Sequence, residues 1–324
     1  MKTEAKKSGA LRTLLKNSGN MMILIYFIVL CAVVGLISPN FLQGSNITNN
    51  LRSASYYGIM GLGMTAVFIA GGLDLSIGSV LGLSALLSCS AMSKGLPVIV
   101  CIFIGIGVGA AIGLINGLCT VKLRIPAMIV TLGTQFVARG FINVITKGKP
   151  VYPLPDAFNA ISAVDFLGLN ISVWFLILMT IVLEWVLRKT TFGRSIYAIG
   201  GNLETARLSG ISVDKIQIGV YVLSGVCAAV SGLFIASRMA SAQITFGNGY
   251  EMDVIAATII GGTSLFGGVG TAVGTFFGAL FMTFLKSGIV SVRLSAYWQN
   301  VVIGLILIIT VGLDQYKRRK QAKS

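Results

Sequence analysis

Along the chain, long apolar runs alternate with short polar breaks, and the runs match a bilayer in length. Ten stretches, near 21–38, 54–71, 75–93, 96–120, 125–146, 170–187, 216–237, 252–268, 270–290 and 297–313, are continuously apolar. Runs of roughly 17–25 residues predict spanning α-helices, whereas a barrel would show ten-residue segments of alternating polarity. The pattern predicts an all-α polytopic membrane protein of about ten transmembrane helices. Two breaks, at 71–79 and 261–270, are so short that a broken or re-entrant helix is expected at either. The domain reading is a tail at 1–20, a transmembrane domain at 21–313 with its longest polar loop at 188–215, and a basic tail at 314–324.

Composition narrows the class. Of the 324 residues 55% are hydrophobic and 11% charged, too little polar surface for a soluble chain of this length. The five cysteines lie in or beside apolar runs without CxxC spacing, and there is no histidine. Disulfide frameworks, common zinc sites and histidine catalysis are therefore not expected. The first run follows five basic residues, and Ser38-Pro39-Asn40 is a poor cleavage site, so an uncleaved first span is expected.

The net charge of +15 would suit a nucleic-acid binder, but its placement argues for topology. Most of the 25 Lys and Arg fall in 1–20, 121–124, 188–215 and 314–324, which become the cytoplasmic segments if both termini are inside. No nucleic-acid partner is expected. Gly105, Gly109, Gly113 and Gly117 recur every fourth residue, as do Gly270, Gly274 and Gly278. Such seams serve either packing within the chain or a subunit interface.

The polar stretch GGNLETARLSG (200–210) predicts a two-turn helix, N-capped by Asn202, with Gly210 in the left-handed position after it. Two turns do not persist alone in water, so this helix must be docked. It carries Glu204 and Arg207, which suits a protein partner. Elsewhere, Thr131, Gln135, Arg139 and Asn143 form a polar seam along the fifth span; facing lipid it would be costly. It either bonds other helices or forms a hydrophilic wall of a pathway. Asn116 is a weaker candidate of that kind. Asp74 and Ser76, in GGLDLSIGS, either cap the helix beginning near Leu75 or line a gate.

These motifs resemble one family. TFGRSIYAIGGNLETARLSGISVDK, GGLDLSIGS, RIPAMIVTLGT followed by Arg139-Gly140, and GNGYEMDVIAATIIGGTSLFGG together resemble the permease subunits of ATP-binding-cassette sugar importers of the ribose/galactose/xylose type. The matches occur in order over most of the chain. The resemblance implies a permease of the bacterial cytoplasmic (inner) membrane that works with a second permease subunit, a homodimer mate or a paralogue. It implies two cytoplasmic ATPases, which hold the ATP and Mg, and an extracytoplasmic sugar-binding protein; this chain then carries no cofactor or metal of its own. Gly201, Asn202, Glu204, Ala206, Arg207 and Gly210 become the coupling helix seated on the ATPase. Asp74, Ser76, Asn116, Thr131, Gln135, Arg139 and Asn143 become pathway or gate residues. Arg52, Arg238, Glu251, Asp253 and Arg293, near span ends, become candidates for docking the binding protein. No GxxxxGK[ST] phosphate loop occurs in the sequence, which fits an external motor.

Three other classes were weighed. An ion-coupled secondary transporter needs membrane-embedded acids or histidines, and the sequence offers Asp74, with Glu184 near the inner end of the sixth span. A membrane enzyme needs a catalytic constellation that the motifs do not supply. A passive channel leaves the docked polar helix unexplained.

Overall fold

A computed structural model describes residues 23–321; the predicted tail at 1–20 lies outside them. Among the described residues the regular structure is helical apart from one hairpin of two-residue strands, Asp165–Phe166 with Leu169–Asn170. In order come α1 (Ile23–Ile37), α2 (Gly44–Ile69), α3 (Ile77–Ser93), α4 (Val98–Val121), α5 (Ala127–Thr146) and a short α6 (Asp156–Asn159). They are followed by α7 (Ile171–Lys189), α8 (Thr191–Gly201), α9 (Leu203–Leu208), α10 (Val213–Met239), α11 (Tyr250–Ile260), α12 (Ala272–Ser291) and α13 (Trp298–Gln321). Among the described residues six helices are long and apolar enough to cross a membrane: α4, α5, α7, α10, α12 and the Trp298–Tyr316 part of α13. The apolar α1 and α3 are shorter.

The eighth predicted span is corrected. Instead of running over 252–268, α11 ends at Ile260 and has 11 residues, about 16 Å of rise. That is about half a hydrocarbon core. Irregular backbone flanks it, 240–249 before and 261–271 after, pinned to the bundle at buried positions such as Ala242, Phe246, Gly247, Thr263 and Gly267 and exposed between them. Glycines make both segments possible: Gly247 and Gly249 have φ of +74° and +76°.

Both glycine seams serve packing within the chain. A Cβ on Gly109 would lie 2.2 Å from the Gly225 carbonyl, and one on Gly113 2.3 Å from that of Tyr221, so α4 lies backbone to backbone on α10. One on Gly278 would lie 1.9 Å from the Ala257 carbonyl, which seats α12 on α11. In lipid, close approach of this kind replaces the hydrophobic drive. The core gathers around α2, α3 and α10, while α5 and α13 keep large apolar side chains such as Phe136, Val137, Leu305 and Ile308 exposed.

The segment at 147–169 is irregular and largely exposed, but it is tied down at its ends. Val151 bridges Ala242, and the Asn170 amide donates to the Ser162 carbonyl (2.9 Å) while its oxygen caps α7 at Ser172 N (3.2 Å). These loops lie at one end of the bundle, and the α4–α5 turn with α8 and α9 at the other.

Candidate transport site

The predicted short helix forms as α9. The Asn202 side chain accepts from Thr205 N (2.9 Å), and Gly210 takes φ +79°. Only Ala206 is buried, packed in a small cluster with Ile199 and Val213; Leu208 is 82% exposed, and Glu204 and Arg207 face each other at 3.7 Å. Gly201 has open space around it. Sequence reading missed α8, which the Thr190 hydroxyl caps at Gly193 N (3.1 Å). The missed signal is an amphipathic turn that buries Ile196 and Ile199.

Through α8 this ledge reaches two helix ends. Gly200 presses on the last turn of α2, where a Cβ would lie 1.7 Å from the Ile69 carbonyl. That same carbonyl accepts from Gly268 N (2.9 Å), and the Tyr197 hydroxyl donates to the Gly270 carbonyl (2.6 Å). Burial, with the Glu184 carboxylate beside it, pushes the Tyr197 phenol up to about 12, so it stays a donor at neutral pH. Glu184 pairs with Arg188 and also accepts from Ala272 N (2.8 Å), so it caps α12 from another helix.

Asp74, Ser76 and Asn116 belong to one buried network. The helix after the turn starts at Ile77, not near Leu75, so Asp74 is not its N-cap residue. Instead Asp74 Oδ1 accepts from Ser76 N (3.0 Å) and Ser76 Oγ (2.6 Å), and Oδ2 accepts from Ser224 Oγ (2.7 Å). Asn116 Nδ2 donates to Ser76 Oγ (2.9 Å), and Thr134 Oγ1 donates to Asn116 Oδ1 (2.7 Å). These bonds join α3, α4, α5 and α10 through buried Asp74 (1% exposed), Ser76, Asn116 and Ser224, with the half-buried Thr134 at the rim. Thr134 and Ser224 were not foreseen, because Thr134 lies off the every-fourth-residue seam beside Gln135 and Ser224 sits alone in an apolar run.

The seam on α5 splits. Thr131 is buried but back-bonds to Ala127 O (2.8 Å). Gln135 donates to Glu251 (3.1 Å), and Arg139 donates to Phe246 O (2.7 Å), so both hold the irregular segment and the start of α11. Asn143 is exposed and leaves the interior face.

The docking group also divides. Arg293 is exposed, Arg52 pairs with Asp165 (3.2 Å), and Arg238 reaches Ser53 (3.3 Å) and covers the Tyr56 ring. Glu251 and Asp253 are buried in the first turn of α11, Asp253 held by Lys286 at 2.7 Å. The segment crosses as a broken span, tied to Val151 at Ala242 and to the α8 ledge at Gly268 and Gly270, so its half-helix starts inside the bundle, which takes both acids away from a docking surface. Among the described residues no cluster of three or more His, Cys, Asp or Glu could hold a metal.

Spanning helices, a half-helix held by buried charge and a short polar helix clamped to helix ends define a multi-pass transport protein of the permease class. The comparisons with known proteins then give the family. Residues 46–311 match the family described as branched-chain amino acid transport system / permease component, and the chain belongs to it. It is 38% identical over 301 residues to a ribose import permease protein of Haemophilus influenzae, covering 92% of this chain and 93% of that one. The corresponding protein of Bacillus subtilis is 39% identical over 291 residues, covering 89% and 90%. An autoinducer 2 import system permease protein of Photorhabdus luminescens is 34% identical over 301 residues, covering 93% and 91%.

Proposed function

We propose that this chain imports a monosaccharide, ribose or a related sugar, across the bacterial cytoplasmic membrane as one of a pair of permease subunits, with both termini inside. An extracytoplasmic binding protein delivers the sugar, and separate ATPases supply the energy. The observation that carries this reading is the α8–α9 ledge. A helix of two turns persists only when held, and here it is capped at both ends, anchored through Ala206 and otherwise exposed. Its polar face suits a groove on a soluble partner, and its clamp on Ile69 and Gly270 gives a route for motion into α2 and α12. The sugar assignment is supported by relatives over 90% of their length named for ribose import. The exposed apolar faces of α5 and α13 leave room for a second permease and lipid.

Gln135 and Arg139 then serve as a wall of the pathway, the Asp74 network as the fixed point against which it opens, and Arg52, Arg238 and Arg293 as the docking rim. The test is reconstitution with the candidate ATPase and binding protein in liposomes. Uptake of labelled ribose should require ATP and both partners. Concentrative uptake by the isolated chain, driven by a proton or sodium gradient, would reject the reading in favour of a secondary transporter.

A further inference from the structure

Glu251 has an acceptor with nothing to accept. It lies in the first turn of α11, 8% exposed, and Oε1 takes one hydrogen bond from Gln135. Its other oxygen, Oε2, is buried and has no hydrogen-bond partner. The neighbouring Asp253 shows the usual solution, an ammonium partner at 2.7 Å. Arg139, one turn beyond Gln135 on α5, commits its Nη1 to Phe246 O. Gly78 packs the first turn of α3 against Oε2, since a Cβ there would come within 2.6 Å of it. The carboxylate is therefore enclosed by backbone and by one amide from α5, with the Arg139 guanidinium near enough to act on it as a charge but making no hydrogen bond to Oε2. An orphaned acceptor in such surroundings is costly, and a membrane-embedded carboxylate marks a pathway or a partner.

We propose that Glu251 accepts hydroxyl hydrogens of the sugar during passage, and that Gln135 occupies that place while the pathway is empty. The proposal rests on the sugar-import reading above. A neutral sugar carries O–H donors on adjacent carbons, and a carboxylate presents two oxygens that can take them together. When α5 moves away from α11, the single bond from Gln135 is exchanged for bonds from the sugar, and Oε2 is filled for the first time. Asp74 already has both oxygens engaged, by Ser76 and Ser224, and Asp253 is neutralised by the Lys286 ammonium on Oδ2, so neither offers the orphaned acceptor that Glu251 does. No proton or ion moves in the exchange.

The experiment uses the complete complex in proteoliposomes, with labelled ribose and its monodeoxy analogues presented on saturating loaded binding protein. A site that hydrogen-bonds a hydroxyl rejects the analogue lacking it, so the wild type should carry at least one analogue about tenfold more slowly. Glu251→Ala should bring that ratio near one while binding-protein-stimulated ATP hydrolysis persists. An unchanged ratio overturns the proposal. Should Glu251→Ala not assemble, Glu251→Asp keeps the charge but withdraws it by one carbon; a shifted ratio supports the proposal, and the wild-type ratio overturns it. A wild-type complex that takes up no pentose at all overturns the sugar reading and this assignment with it, whereas pentose uptake without hydroxyl discrimination overturns this assignment alone.

Discussion

Two helix pairs, α2–α3 and α11–α12, make the same turn with different supports. At the end of α2, Gly71 takes φ +78°, its N–H reaches Phe68 O (2.8 Å), and Gly72 N reaches Val67 O (2.9 Å). At the end of α11, Gly262 takes φ +88°, its N–H reaches Ile259 O (2.8 Å), and Thr263 N reaches Thr258 O (3.2 Å). Each is a Schellman stop with glycine in the left-handed position. Each rising helix then needs acceptors for its free N–H groups. For α3 the acceptor is Asp74, two residues before Ser76. For α12 it is Glu184, which comes from α7. The first turn is thus locked by its own carboxylate into a network of four helices, while the second is held by α7 and α8, the elements next to the exposed ledge. The first has the character of a fixed point, and the second of a joint through which movement of the ledge passes.

Removing the fixed point should have the largest effect. Asp74→Ala leaves Ser76 N, Ser76 Oγ and Ser224 Oγ without their acceptor in a buried site, which should cost about 3–5 kcal/mol of stability. Asp74→Asn keeps one oxygen for Ser76, and the Ser224 hydroxyl can turn to accept from the new amide. Its cost should be about 1–2 kcal/mol. Denaturation of the purified chain in detergent measures both. An Asp74→Ala protein as stable as wild type would remove the locked turn from the comparison.

Blocking the joint should impair transport more than folding. In Gly200→Ala the new methyl meets the Ile69 carbonyl and Gly268 N, and the ledge must move off the end of α2 and the backbone that leads into α12. Overpacking of this kind costs about 1–3 kcal/mol. Uptake by the reconstituted complex should fall by at least about tenfold while ATP hydrolysis continues, because the motor still docks on α9 but its stroke no longer reaches the helices. Equal loss of hydrolysis and uptake would show instead that Gly200 serves docking.

How much of this was legible in the sequence depends on range. Asn202, Gly210 and the two turns between them act within eight residues, and the short helix follows from local rules. The glycine seams were equally plain as close-approach surfaces, though their partners Gly225 and Ala257 are distant in the chain and carry no mark of the pairing. GGLDLSIG (71–78) and GGTSLFGG (261–268) share Gly-Gly-x-x-Leu-x-x-Gly, and matching them letter by letter aligns Gly71 with Gly261, whereas the φ values align it with Gly262, one residue later. Glu251 and Asp253 misled because apolar continuity hides a broken span whose helix starts inside the bundle. A half-helix followed by irregular apolar backbone reads like one span, so acids in its first turn looked like acids at a membrane surface. Glu184 was visible as a membrane acid, but its task depends on a helix start 88 residues away.

The smallest expected effect distinguishes the two carboxylates. Glu184→Gln keeps an oxygen for Ala272 N and loses the charge that pairs with the half-exposed Arg188 and faces the positive end of α12. Such exposed pairs and helix-end charges are each worth about 0.3–1 kcal/mol. Moreover, α12 has a second cap, since Thr271 Oγ1 accepts from Gly274 N (3.0 Å), whereas Ser76 makes no side-chain cap bond for α3. Glu184→Gln should therefore cost about 1 kcal/mol or less, below Asp74→Asn, and the difference from wild type should shrink in high salt as screening weakens the pair. The same denaturation series gives the order. If Glu184→Gln proved the more damaging of the two, the α12 turn would be the fixed point, and motion from the ledge would have to enter through α2 alone.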